Sequence, residues 1–515
     1  VKPPSPFLDR TSPRRTHRLL SLLAAVALLG VLGFSVYRQV AQIDAPQDFA
    51  NDEMQFKYGS IGSEAGTGIP YWIFATLPDV CPEQLGPEGW ASLGVIQPPD
   101  DGMTRPIGFS MRRVGPVDMV APNCALCHTS AVRVSDPVTG KVERRHYATG
   151  PSHQLDLMGY FAFVFSCIGD ARFTPDNVLA AIARRTELPA LERVVYRIAV
   201  GRAKDAIGAQ SVKFDSIVNG RPEWGRGRVD TFNPYKALVF DLDMSNDHSI
   251  GTADFMSIWH QEVRRGTWLH WDGNNDSVDE RNWSAALGAG ASPDSIDLAR
   301  IERVRNWILA QSPPAYPFEV DHGLAAEGKA IYGAWCADCH DSAGARFGAV
   351  TPLAEIGTDP QRLVSFDPEM ARLMNTIGTG KPWRFQRFRV SGGYANQPLD
   401  GLWLRAPYLH NGSVPTLRDL LEPAANRPAV FYRGNEHYDA VRVGFRTEGP
   451  EVDGQRLSRF DTSQPGNGNA GHEYGVHLAP RQKDALIEYL KILGDRPVSP
   501  TSNVVAAMRG AEELR

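Results

Sequence analysis

Hydrophobic and polar positions change character several times along the chain. Leu19 to Tyr37 run for nineteen residues without a charge, behind Lys2, Arg10, Arg14, Arg15 and Arg18. An uncharged stretch of that length behind a basic end predicts a transmembrane helix, with the basic segment on the cytoplasmic side. A cleaved secretory leader would have a shorter apolar region ending in a small-x-small site. Gly33-Phe-Ser-Val-Tyr-Arg38 supplies no such site, so the expectation is an uncleaved signal anchor.

Beyond the anchor, residues 39–55 hold few apolar positions and read as a tether. From Phe56 to Asn123, glycine, proline and aromatic residues alternate without helical period, which predicts irregular backbone with packing anchors. Helical patterns begin at Thr174-Pro-Asp-Asn, a capping residue with proline at the first helical position, and a second helix is expected over 188–200. The chain turns loop-rich between Gly220 and Asp276, where Trp268, His270 and Trp271 crowd together. A helix opening at Ser292-Pro293 carries Ile301, Val304 and Ile308 on one face until Pro313 and Pro314 stop it. The run Ser312-Pro-Pro-Ala-Tyr-Pro317 is the expected domain boundary. Amphipathic helices then follow over 325–335 and 478–493, the second closed by Gly494.

Two five-residue stretches break this pattern, Cys124-Ala-Leu-Cys127-His128 and Cys336-Ala-Asp-Cys339-His340. Both read C-x-x-C-H, the attachment signature of c-type haem: two thiols reach the porphyrin vinyls and the adjacent histidine ligates the iron. With 6 cysteines and 13 histidines in 515 residues, chance placement gives roughly 0.002 copies. A redox C-x-x-C or half a zinc site is the competing explanation, and no third C-x-x-C exists to complete a four-cysteine zinc site. The implied cofactors are two covalently bound haem c groups. Calcium is a further candidate ion that the sequence neither selects nor rejects.

Composition adds little. A net charge of −5 is too dilute to mark nucleic acid as a partner. Cys81 and Cys167 remain outside the haem motifs and are expected as separate, semi-buried thiols rather than a disulfide. Covalent haem and the anchor together imply a single-pass protein of a bacterial inner membrane with periplasmic haem domains.

The second motif sits in a readable frame. Gly328 lies eight residues before Cys336, Tyr332 follows it, and Leu486-Ile-Glu-Tyr-Leu490 supplies a terminal-helix pattern. This resembles the class I cytochrome c fold, in which that glycine lets the last helix cross the first. Met370, Met374, His410, His437, His472 and His477 are all available for the other face of the iron, and spacing does not choose among them.

Trp403-Leu-Arg-Ala-Pro-Tyr-Leu-His-Asn-Gly-Ser-Val-Pro-Thr-Leu-Arg-Asp-Leu420 resembles the segment after the second haem of bacterial di-haem cytochrome c peroxidases. Phe56 to Glu64, Asn123 to Ser130, Leu269 to Gly290 and Asp461 to Gly475 are similar to the di-haem rubber oxygenases and their relatives. The resemblance implies His340 and His472 as axial ligands of the second haem, His410 beside it, and His128 alone on the first. The first iron would then take up dioxygen or peroxide, and the second would relay electrons from a periplasmic redox partner. Trp271 or Trp268 is a candidate aromatic bridge, and Glu262 a candidate distal proton acceptor. The chain is shorter than a rubber-cleaving enzyme leads one to expect.

The expected fold class is mainly α with extensive irregular loops, two cytochrome c-like haem domains after an N-terminal transmembrane helix. Its boundaries are a basic segment 1–18, anchor 19–37, linker 38–55, first haem domain 56–312, second haem domain 318–495 and tail 496–515. The expected function is di-haem oxidoreduction. The alternative is a non-catalytic electron carrier in which His146, His153 or His270 closes the first iron; a structural subunit of a respiratory assembly is a third possibility.

Overall fold

The structure is a computed structural model that describes residues 20–28, 30–31, 33–35, 43–100, 102–135 and 139–494. The basic segment 1–18 and the tail 496–515 lie outside the described residues, as does part of the expected anchor. Among the described residues no helix is long and apolar enough to cross a membrane. This overturns the expected N-terminal transmembrane helix and, with it, single-pass anchoring in the inner membrane. A span needs about 20 apolar residues in one helix. The longest described helix, Ala190–Val218, instead carries Glu192, Arg193, Arg197, Arg202, Lys204, Asp205, Lys213 and Asp215.

The stretch before the first C-x-x-C-H is more regular than its sequence suggests. Strands Asp44–Pro46, Phe109–Val114, Val117–Pro122 and Ile69–Pro70 form one antiparallel sheet, with Phe109 opposite Pro122 and Val114 opposite Val117. Alternation is hidden there because Arg112 and Arg113 sit mid-strand, where Arg112 reaches Asp297 at 3.2 Å and Arg113 reaches Asp118 at 3.1 Å. The hairpin delivers the chain to Asn123, whose side chain caps the one-turn helix Cys124–Cys127. A second hairpin, Thr129–Ser135 with Val142–Ala148, leaves it.

Helices Tyr71–Val80 and Leu157–Gly169 also have little amphipathic signature, because their residues are apolar on nearly all sides, although the second buries only one stripe, from Leu157 and Tyr160 through Val164 to Ile168. They meet at a disulfide: Cys81 and Cys167 are bonded, with Cα atoms 5.8 Å apart. The expectation of two separate thiols is thus corrected, since packing of these helices closes 86 residues of sequence. Helix Pro175–Ala183 begins where its cap predicts, with the Thr174 side chain accepting from the Asn177 amide. Its neighbour Ala190–Val218 runs well past the expected end at 200, its buried positions Tyr196, Val200, Phe214 and Ile217 spread along an otherwise polar helix.

In the second half, helix His322–Trp335 crosses helix Pro480–Lys491 over Gly328, whose added Cβ would lie 1.9 Å from the Ala485 carbonyl oxygen. Tyr332 and Tyr489 pack beside the crossing with ring centres 5.3 Å apart. Between these helices the chain is mostly short turns and two-stranded ladders, among them Val350–Pro352 with Gly393–Ala395.

Candidate functional site

Each C-x-x-C-H forms one helical turn: Cys124–Cys127 with His128 just after it, and Ala337–His340 with its histidine as the last residue. The Asn123 side chain accepts from the Ala125 amide at 3.0 Å and donates to the Gly59 carbonyl at 3.0 Å, fixing the start of the first turn. Gly108, in the left-handed region at φ 88°, lets the preceding chain pass against Leu126. The second turn, Ala337–His340, continues directly from helix His322–Trp335.

Both histidines are oriented in the same way. His128 Nδ1 donates to the Met256 carbonyl at 2.8 Å, and His340 Nδ1 donates to the Gln397 carbonyl at 2.6 Å. A carbonyl only accepts, so in each ring the proton sits on Nδ1 and the Nε2 lone pair is left for a metal. Burial pushes the His128 pKa down to about 4 and lowers that of His340, keeping both imidazoles neutral. Burial likewise raises Cys124 to about 11 and Cys127 to about 12. Thiols held protonated are the opposite of a redox-active C-x-x-C, whose thiol pKa is depressed.

His472 faces His340, with ring centres 6.2 Å apart and planes at 46°. A metal between two imidazoles, with bonds of about 2 Å and roughly 1.2 Å from each nitrogen to its ring centre, sets the centres about 6.4 Å apart. The residues fit an iron between them. His472 is held at φ 49°, its amide donates to the Ile356 carbonyl at 2.8 Å, and Arg427 clamps its loop through the Asn469 and Gly471 carbonyls at 2.6 and 2.8 Å. Its Nδ1 is buried without a partner. Burial first, then His340, lower its pKa to about 4.

Cys124, Cys127, His128, Cys336, His340 and His472 share a second property that fits the group. Burial shifts the pKa of each, yet each is only half-buried by exposed area. Accessible surface left on these side chains is what an added group would cover. Among the described residues no group of three or more His, Cys, Asp or Glu converges as a metal cage, so none is offered for calcium.

The remaining candidates lie elsewhere. His410 stacks on Tyr394 with ring centres 4.1 Å apart, and its Nε2 is 3.0 Å from the Tyr394 hydroxyl, which itself donates to the Asp359 carbonyl at 2.6 Å. Met370 and Met374 are core residues. His437 pairs with Asp453 at 2.8 Å, and His477 packs against Trp335. Glu262 is exposed and turned to Arg265 at 2.8 Å. Trp268 lies under the Arg389 guanidinium.

Trp271 lies between the two motif histidines in a hydrogen-bonded sequence. Its Nε1 donates to the Asp254 carbonyl at 2.9 Å, two residues from Met256, which holds His128. On the other side the His270 carbonyl, one residue away, accepts from Gln397 Nε2 at 3.0 Å, and the Gln397 carbonyl holds His340. The sequence does not reveal Met256 and Gln397 as the positions that hold the two motif histidines, because a backbone carbonyl carries no residue identity.

Residues 393–432, which include Tyr394, Gln397 and His410, match the family described as RoxA-like, cytochrome c-like. The chain is similar to two proteins of Sinorhizobium fredii (strain NBRC 101917 / NGR234). It is 28% identical over 480 residues to the uncharacterized protein y4iJ, an alignment covering 73% of this chain and 77% of that protein. It is 32% identical over 284 residues to the uncharacterized protein y4iM, covering 46% and 64% respectively. The family match supports a haem cytochrome oxidoreductase of the rubber oxygenase-like group with covalently bound haem c.

Proposed function

We propose that the chain is a di-haem c-type oxidoreductase that activates peroxide or dioxygen at a haem on Cys124 and Cys127, supplied with electrons through a haem on Cys336 and Cys339. The observation that carries this reading is the asymmetry of the two histidines: His340 has His472 facing it with ring centres 6.2 Å apart, whereas among the described residues no second imidazole is paired with His128. Bound haem supplies one-electron chemistry, with oxidant taken up where a coordination position is open and electrons relayed where both are filled.

The chain's own residues do the rest. The Met256 and Gln397 carbonyls fix the tautomer and orientation of His128 and His340, so each presents Nε2 without rearrangement. Arg427 holds the His472 loop through the Asn469 and Gly471 carbonyls, so His472 would stay in place beside a bound haem. Trp271 bridges the two carbonyl-held histidines through the Asp254 carbonyl and Gln397, a covalent and hydrogen-bonded path for electrons. An external electron donor and a small oxidant are the partners this function requires.

His270 favours a second reading. Its Nδ1 is held by Asn274 at 2.6 Å, and the Arg281 charge that lowers the His128 pKa lowers that of His270 too. If His270 closed the first iron, the protein would be an electron carrier. Intact mass and the reduced spectrum decide: two haems add about 0.6 kDa each, and a shift of half the haem absorbance on carbon monoxide is the expected result. An unchanged spectrum would leave the carrier reading in place of the enzyme.

A further inference from the structure

We propose that Arg264 and Arg281, with Gln261, form a socket for carboxylates, and that its ligand is the pair of propionates on the porphyrin joined at Cys124 and Cys127. The inference rests on the reading of the first motif as a haem attachment site and adds the group's counter-ions.

The observation is a pair of buried cations with nothing to hold. Arg264 ends the short helix Gln261–Arg264 and Arg281 lies in helix Val278–Gly288; each is 5% exposed. Neither guanidinium makes a hydrogen bond or ion pair with any described residue. Arg264 Nη2, Arg281 Nη1 and both side-chain amide atoms of Gln261 are buried without partners. Other deeply buried arginines have partners: Arg433 pairs with Asp254 at 2.8 Å and Arg362 with Asp272 at 3.0 Å, while Arg105 and Arg226 donate to backbone carbonyls at 2.7–3.1 Å.

The two unpartnered arginines are also neighbours. Arg281 adds a like charge to Arg264, and the same charge reaches His128. The carboxylate close enough to stabilise Arg264 is Asp400, already engaged by His260 at 2.9 Å and by Arg405. Burying a cation without a counter-ion is among the most costly arrangements a fold can contain, and two like cations side by side cost more. An anion with more than one carboxylate would relieve that cost. A porphyrin fixed to the turn that carries His128 brings two, and guanidinium forks bind carboxylates in pairs of hydrogen bonds. Cations beside the propionates raise the first haem's reduction potential, because they stabilise the form carrying the extra electron.

The test uses the full chain with its haems. Intact mass first establishes two haems per chain, with attachment at Cys124 and Cys127 shown by peptide mapping; fewer haems would remove the underlying reading rather than the socket. Potentiometric titration then follows Arg281→Gln, Arg264→Gln/Arg281→Gln and Arg281→Lys. One of the two couples is expected to fall by at least a tenfold change in its redox equilibrium, about 59 mV for one electron, with the other unmoved and the lysine variant displaced less. Both couples unmoved in Arg281→Gln would overturn the socket, as would a lysine variant that shifts as far as the glutamine one. If the double variant fails to accumulate, the single variants give the same readout.

Discussion

Gly328 and Ala485 meet where two helix backbones touch: a Cβ on the glycine would stand 1.9 Å from the Ala485 carbonyl oxygen and 2.9 Å from Tyr489 Cβ. The obstacle on one side is backbone, which cannot rotate away. Gly328→Leu is therefore expected to destabilise the second half by about 1–3 kcal/mol or more through overpacking. Denaturant midpoints of holoprotein measure it, and a midpoint equal to wild type would show that the crossing tolerates a side chain.

The bond between Cys81 and Cys167 ties helix Tyr71–Val80 to helix Leu157–Gly169 across 86 residues of sequence. Cross-links closing long loops stabilise by about 2–4 kcal/mol, largely by restricting the unfolded chain. The Cys81→Ala/Cys167→Ala protein should unfold at lower denaturant by that amount, and reductant should lower wild type but leave the variant where it is. Equal midpoints for the two proteins under oxidising conditions would count against a formed bond.

What the sequence made legible follows a physical division. Covalent haem attachment is a local demand, five residues long, so both C-x-x-C-H turns can be read directly. The terminal helix Pro480–Lys491 buries one stripe, Leu486, Ile487 and Leu490, and its period survives in the sequence. Helix Leu157–Gly169 is apolar on nearly all sides and has no period to detect. The hairpin Phe109–Pro122 is masked by Arg112 and Arg113, whose partners Asp297 and Asp118 only tertiary structure supplies. Nor does anything in the identity of Met256 or Gln397 announce that their carbonyls orient His128 and His340. The expected transmembrane helix shows the converse error: an uncharged run of residues satisfied a length rule, and no described helix meets it.

His472 and His410 separate two roles that their sequence does not distinguish. His472 faces His340, while His410 is engaged with Tyr394. His472→Ala should convert one low-spin haem signal to high spin in electron paramagnetic resonance, whereas His410→Ala should keep the low-spin signal and lower stability by about 1 kcal/mol for the lost hydrogen bond. Low-spin signals unchanged in His472→Ala would remove it as a ligand.

Trp271→Phe keeps an aromatic ring but removes the Nε1 donor that reaches the Asp254 carbonyl at 2.9 Å. If the indole serves as a bridge, rapid mixing with a reductant should show slower equilibration between the two haems at unchanged midpoint potentials. If it serves only to pack, the variant should lose about 1 kcal/mol of stability and equilibrate at the wild-type rate. The two readouts are independent, so a variant slow in transfer with unaltered unfolding points to the bridge alone.

His153, one of the histidines considered for the first iron, offers a pH test. It is 3% exposed, both ring nitrogens are buried without partners, and the ring stacks on Phe445 with centres 3.5 Å apart. Burial is the main reason its pKa falls from the model-peptide 6.5 to about 3. In the unfolded chain the imidazole takes a proton as pH drops through about 6.5, while the folded protein refuses it until about 3. Stability is thus lost as pH falls across that window, at up to about 1.4 kcal/mol per pH unit from this one group. His153→Phe preserves a stacked ring and abolishes the titration, so its unfolding free energy should fall less steeply than wild type between about pH 6 and about pH 4. Two parallel profiles over that range would mean that the folded protein accepts the proton, with the Pro151 and Asn435 backbone beside the ring as the acceptors.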